Sequence, residues 1–363
     1  MGWIGFTDGQ DNRFDPNGLA AAQGAAPLTL HPDMLMPRGT LMVETRLSPE
    51  GRPQTLLAFR RHHPWACSFS LQALPNGGFI LIESQEDTVR HATLPYAADG
   101  RMGIVRLTYS WDAPDRWGRL SLERPGTDGV HIVEMPPPRP MPLADLKTML
   151  TDPRQRQMDD DVVFAALSAA IEPLGPMPAL TGNVPIRTPG GFRPVGHLKR
   201  GDLILTETGA AVPVLYAIRR TVPARGSFRP VRLRAPYFGL RQDVIVAPHQ
   251  RIVLRGSQVE YTFGQEAVLV PAQHLVNGIS VFPVDGPDRV TYHQLLLPGH
   301  EVLLAAGCPM ESLYIGRLRR KPDQLGASLL ARLNRAQLPE HAKPVWPVLK
   351  PFEAITLAIS RAA

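Results

Sequence analysis

Four histidines, His249, His274, His293 and His300, fall within one stretch of short apolar runs broken by turn residues. Imidazole titrates near neutral pH, so such a set could serve a nucleophile as general base or hold a metal ion. The hydroxyl nearest in type is that of Thr181, in the segment PALTGNVPIRTPGG. The histidine spacing matches no metal motif, and pairing with backbone groups at strand ends is the plainer reading. Cys67 and Cys308 are too few for a disulfide framework. Cys308, in a Gly-Cys-Pro turn, reads as a small buried residue rather than a nucleophile. His62 and His63 have no further ligands nearby, and Asp159, Asp160 and Asp161 stand where a helix start would be capped. No metal and no cofactor is expected. A second set, Trp65, Trp111, Trp117 and Tyr109, could stack sugars if exposed; core or rim packing is the alternative, since tryptophan is highly buried on average.

The elements that must position the histidines are strands. Between Ala179 and Gly316 each apolar run is short and cut by Gly, Pro or Asn, as in TPGGFRPVGHLKRGDLILT, VIVAPHQRIVLRG, AVLVPAQHLVNGISV and HEVLLAAGCPMES. No helical periodicity competes. These pieces, in this order, resemble a Hint domain, the fold of Hedgehog autoprocessing domains and inteins, and most closely the stand-alone bacterial type. The resemblance covers residues 178–317, well under half the chain.

It implies a reaction and a set of positions for it. Active members attack the carbonyl preceding the domain with a Cys or Ser at its first residue, and polarise that peptide bond with a Thr/Ser-x-x-His segment. The nucleophile position falls on Ala179, the Thr/Ser position on Ala247, the histidine of that segment on Gln250, and a later family histidine on Gln294. His249 and His293 stand one residue away, and on a strand a one-residue offset turns a side chain to the other face. The expectation is a domain without self-cleavage. A fallback is Thr181 as nucleophile with His249 or His293 as its base.

Upstream, strand patterns run from Gly39 to about residue 140, joined by the turns SPEGRP, LPNGG, AADGR and RPGTDG. This spacing predicts a β-sandwich, with Leu107 and Tyr109 facing away from Arg106 and Thr108. The GIVRLTYSWD and GRLSLE strands resemble laminin-G and concanavalin-like jelly rolls. Residues 1–38 read as an irregular arm. The proline run MPPPRPMP reads as a domain boundary. Residues 141–177 read as a linker of two helices, one through Leu143, Leu146, Met149 and Leu150, the other following the three aspartates. Residues 318–363 read as a basic helical tail.

The expected class is thus mainly β: a jelly-roll-like sandwich, a helical linker, an all-β Hint-like domain and a helical tail. The formal charge of +6 is placed unevenly, for residues 317–363 carry nine Lys/Arg against three Asp/Glu. That excess suits an acidic protein partner or an anionic surface, a solvated, partly helical tail being the plainer reading, and nothing calls for nucleic acid. Residues 1–30 lack a signal-peptide pattern and no apolar run reaches the ~18 residues of a membrane span. The chain is therefore expected in the cytoplasm, or exported without an N-terminal signal. Three functions are compatible: a non-catalytic Hint-fold scaffold or protein-binding module, a self-cleaving protein cut near residue 179, and a lectin-like carbohydrate binder.

Overall fold

The computed structural model describes residues 2–19, 34–75, 77–96 and 103–362, the last four by backbone alone. The chain divides into two units, Met1–Pro173 and Leu174–Ala363.

The first unit contains strands β1 (Trp3–Thr7), β2 (Asn12–Phe14), β3 (Leu35–Met36), β4 (Arg38–Arg46), β5 (Gln54–Arg61), β6 (Cys67–Ala73) and β7 (Phe79–Gln85). It continues with β8 (Thr88–Leu94), β9 (Ile104–Asp112), β10 (Trp117–Glu123), β11 (Val130–Met135) and β12 (Met141–Pro142). Helix α1 (Leu143–Thr151), β13 (Arg156–Gln157) and β14 (Val162–Ser168) complete it. A seven-stranded sheet of order β11-β10-β9-β4-β14-β1-β2 and a five-stranded sheet of order β13-β5-β6-β7-β8 form a β-sandwich, all strands antiparallel to their neighbours. Alternation decides the facing. Leu107, Tyr109 and Trp111 of β9 join the core with Leu57, Leu71 and Leu81. Arg106, on the other face, pairs with Glu44 directly across on β4 at 3.1 Å. Gly39 lies opposite Trp111, and a Cβ there would come within 2.8 Å of the indole, so only glycine lets the ring lie across β4.

Three expectations for this unit are corrected. Residues 1–38 are not an irregular arm: β1 and β2 extend the larger sheet and β3 pairs with β12. The part of that arm at residues 20–33 lies outside the described residues. Every residue of β1 is buried, so its sequence carries no alternation to read. Within 141–177, α1 forms as expected, with Leu143, Leu146, Met149 and Leu150 buried. The second helix does not form. Its residues are β14, inserted between β4 and β1 and buried almost throughout, which again erases the period-two signal. The preceding aspartates cap no helix; Asp159 and Asp161 hold the Arg52 guanidinium at 2.8 and 2.7 Å. The proline run is therefore no boundary, since sandwich strands lie on both sides of it.

The second unit begins with β15 (Leu180–Thr181), β16 (Pro185–Thr188), β17 (Gly191–Pro194), β18 (Leu203–Leu205), β19 (Ala211–Pro213), β20 (Tyr216–Pro223) and β21 (Val231–Leu233). There follow β22 (Val244–Val246), β23 (Arg251–Arg255), helix α2 (Ser257–Phe263), β24 (Ala267–Pro271), β25 (Val281–Pro283), β26 (Arg289–Leu296), β27 (Val302–Ala305) and β28 (Cys308–Glu311). Helices α3 (Pro322–Gly326) and α4 (Pro351–Ala362) end it. Two six-stranded sheets, β20-β26-β15-β22-β21-β25 and β17-β16-β27-β28-β23-β24, enclose a core that includes Leu180, Ile186, Val246, Ile252, Val270 and Leu303.

The expected basic tail is part of this unit rather than an appendage. Leu318, Leu325, Leu330 and Leu338 form a buried cluster with Ile218, Leu296, Leu313 and Ile315. Leu349, Ala354 and Leu357 enter the main core. The helix expected through Leu325 and Leu333 stops at Gly326, after which the chain runs in turns to fit this cluster. Part of the basic excess is neutralised locally: Arg319 and Arg320 both reach Glu340 at 2.6 Å. Among the described residues no helix is long and apolar enough to cross a membrane.

Candidate functional site

Strand β15 is only two residues long, yet it is held on both sides: Leu180 pairs with Val246 of β22 and with His293 of β26. That pairing brings the start of the domain against the tight turn Ala247-Pro248-His249-Gln250. The Ala247 amide donates to the Ala179 carbonyl at 2.6 Å, and the Gln250 amide closes the turn on the Ala247 carbonyl at 3.0 Å. Ala179 and Ala247 are buried methyl groups, with 3% and 0% of their surface exposed.

Gln250 and Gln294 meet in the interior. The Gln294 amide donates to Gln250 Oε1 at 3.2 Å and to the Glu311 carbonyl at 3.1 Å. The Gln250 amide donates in turn to the Arg251 and Glu311 carbonyls at 3.0 and 3.4 Å. Beyond them the Glu311 carboxylate meets Arg251 at 3.2 Å and the His300 ring at 3.3 Å. The four positions Ala179, Ala247, Gln250 and Gln294 thus lie together, and none of them carries a nucleophile or a group that exchanges protons near neutral pH. Buried amides bound to one another hold shape; removing one leaves its partner unsatisfied. Gln250→Ala is expected to lower the unfolding free energy by about 2 kcal/mol, read as a shifted midpoint in urea denaturation. An unchanged midpoint would show that the pair contributes nothing to stability.

The neighbouring histidines take other directions. His249 Nε2 lies 3.2 Å from the Met177 carbonyl. His293 shares a face with Leu180, and its ring packs over Gly182, where a Cβ would come within 3.1 Å of Nε2. Burial, and then the Arg219 charge, hold its pKa below the usual imidazole value. Thr181 pairs with Tyr292 on the opposite face, and its hydroxyl donates to the Ile245 carbonyl at 2.8 Å. The hydroxyl of the fallback pair is therefore turned away from His293. His274 is also shifted down by burial. Cys308 is fully buried among Ala305, Met310 and their neighbours, and burial pushes its thiol up to about 12. Among the described residues no group of three His, Cys, Asp or Glu is arranged to hold a metal ion.

On the sandwich, the three candidate tryptophans part company. Trp111 is corrected to a core residue: it is fully buried, its Nε1 donates to the Met36 carbonyl at 3.1 Å, and its ring stacks on Tyr109 at 5.4 Å. Trp117 is half-buried with the Arg119 guanidinium over its ring at 5.2 Å. Trp65 is 36% exposed and stands at a cavity of about 470 Å³. Sequence reasoning missed the charged groups of that cavity. Their signal was available as a break in alternation, for Arg61 and Glu83 occupy positions whose neighbours two residues earlier, Phe59 and Leu81, are apolar core.

The second unit's paired sheets thus hold the domain start between β22 and β26. The family model of the Hint domain matches residues 178–317. Among solved structures, the MchDnaB-1 intein matches at 16% identity, over 37% of this chain and 98% of its own, with a TM-score of 0.26. The gp41-1 intein matches at 12% identity, over 36% of this chain and 96% of its own, with a TM-score of 0.24. The CBM40 module of the Ruminococcus gnavus IT-sialidase, bound to alpha2,6 sialyllactose, matches at 13% identity, over 37% of this chain and 77% of its own, with a TM-score of 0.24. No curated protein matches the chain.

Proposed function

We propose that this Hint domain has lost self-cleavage and serves as a scaffold or protein-binding module. The observation that carries the reading is the Gln250–Gln294 pair, bonded amide to amide and to the Glu311 carbonyl, beside two buried alanines. An alanine methyl cannot attack a carbonyl. A glutamine amide cannot take up the proton that an attacking hydroxyl or thiol must release. Losing one member of a catalytic set removes most of the rate, and several replacements together speak for a site no longer selected for chemistry. Purified protein is expected to keep a single intact mass on prolonged incubation, with or without dithiothreitol. A fragment beginning between Ala179 and Thr181, abolished by Thr181→Ala, would overturn the reading and restore self-cleavage with Thr181 as nucleophile.

A second reading, carbohydrate binding by the sandwich, is favoured by the cavity beside Trp65. A half-exposed indole at the mouth of a pocket lined by both apolar and hydrogen-bonding groups is the form that small-molecule sites take. A glycan array probed with the whole chain tests it, and the absence of any bound glycan would remove it.

A further inference from the structure

The five-stranded sheet turns polar at one end of its inner face. Its rows across β5, β6, β7 and β8 can be followed through the register. Leu57, Leu71, Leu81 and Ala92 make one row, and all four are buried core. The next row outward is Phe59, Phe69, Glu83 and Arg90. The row beyond it is Arg61, Cys67, Gln85 and Thr88. Side chains two apart on a strand share a face, so these charged residues point the same way as the core leucines. The cavity of about 470 Å³ opens over these two rows, roofed by the segment from Arg139 to Met149. Its size is that of a small-molecule site, roughly 300–1,000 Å³.

Charge in the cavity is unbalanced. Arg61 pairs with Asp145 at 3.1 Å, and Arg90 stands directly across from Glu83. Arg139, on the roof, bonds to Gln85 at 2.6 Å and Thr88 at 3.3 Å, both neutral. Arg61 satisfies only part of its guanidinium: Nε and Nη2 are buried without a hydrogen-bond partner among the described residues, beneath the Trp65 ring at 5.1 Å. Guanidinium groups offer a planar fork of donors matched to a carboxylate. Burial holds both the Glu83 and Asp145 carboxyls above their usual range, which weakens the negative side further. The rest of the lining has two characters. Phe59, Phe69 and Trp65 give a flat apolar surface, while Gln85 and Glu83 give hydrogen-bonding groups suited to hydroxyls.

We propose that this cavity binds an acidic sugar, its carboxylate held by Arg139 and its ring laid against Trp65. The proposal rests on the carbohydrate-binding reading of the sandwich and adds the charge of the ligand. A neutral sugar would leave the positive excess uncompensated, and a plain aromatic acid would leave the hydroxyl-binding groups unused.

Calorimetric titration of the whole chain with glucuronic acid, its methyl ester and benzoate tests it. The acid is expected to bind roughly tenfold to a hundredfold more tightly than the ester, as a charged hydrogen bond does over its neutral counterpart. That preference should disappear in Arg139→Gln, which orphans no carboxylate, and binding should fall in Trp65→Ala. Thermal melting of each variant shows whether it remains folded. Equal binding of acid and ester would overturn the acidic-sugar proposal while leaving the carbohydrate reading standing. Binding of benzoate with neither sugar bound would overturn both, as would no binding of any of the three.

Discussion

Deleting residues 318–363 is expected to unfold the C-terminal unit. The segment supplies Leu318, Leu325, Leu330 and Leu338 to one buried cluster and Leu349, Ala354 and Leu357 to the main core. Burying one leucine contributes roughly 1.5–3 kcal/mol, so the six leucines together match or exceed the about 5–15 kcal/mol net stability of a typical domain. Backbone bonds go with them: the Leu349 amide donates to the Leu269 carbonyl at 3.0 Å, and the Leu269 amide to Pro347 at 2.8 Å. The truncated chain should appear in the insoluble fraction, or lose the C-terminal unit's transition in denaturant. A soluble truncation with the full chain's unfolding profile would show that these contacts are dispensable. The result bears on association as well. A partner drawn to the basic surface would meet it as one face of a folded domain, so the informative variants are charge reversals at exposed positions such as Arg332 and Arg335.

Acidification should destabilise the same unit, chiefly through His341. This ring is 97% removed from solvent, and its two nitrogens are used in the neutral form. The Ile315 amide donates to Nδ1 at 3.3 Å, and Nε2 lies 3.3 Å from the Leu297 carbonyl that its proton serves. A second proton would have to displace the Ile315 amide. Burial therefore holds the pKa down at about 4, opposed by the Leu297 carbonyl and aided by the nearby His300. In the unfolded chain the ring titrates at its ordinary value of about 6.5. Between these values the unfolded state binds the extra proton, so stability is full above about 6.5 and falls with pH down to about 4. At one pKa unit per about 1.4 kcal/mol the loss approaches 3 kcal/mol. Urea midpoints measured from pH 7 to 4.5 should shift accordingly, and His341→Gln should remove most of that slope. An undiminished slope in the variant would assign it to other groups.

The Hint domain was legible in the sequence because its turns are: Pro-Gly-Gly and Gly-Asp mark strand ends wherever they fall, and four such pieces in order identify the fold. Strands β4, β5, β6, β7, β9 and β10 were legible through alternation, while β8 and β11 were not singled out. What failed were two buried strands without alternating polar residues. In β1 and β14 nothing polar punctuates the run, so WIGFT passed for part of an arm and VVFAALS for a helix. The tail failed for a different reason. Its leucines are spaced for a helix locally, but their packing against Ile218 and Leu296 is set by residues far away in sequence. At the Hint site it was the family resemblance that singled out Ala179, Ala247, Gln250 and Gln294, and the structure brings them together. The bonding of the two glutamines to each other was not legible, because it depends on β23 and β26 converging. Nor was the arginine-bearing cavity, whose residues become a site only once four strands are aligned row by row.

The position of β1 between β14 and β2 has a consequence for synthesis. Trp3–Thr7 leaves the ribosome well before its sheet neighbour Val162–Ser168, which is among the last pieces of the sandwich to emerge. At 5–20 residues per second the wait is on the order of ten seconds or more. Throughout it, five consecutive residues destined for burial have only the short β2 hairpin for cover. Trp3–Thr7 is thus open to chaperones and to neighbouring chains until β14 is made and takes its place between β4 and β1.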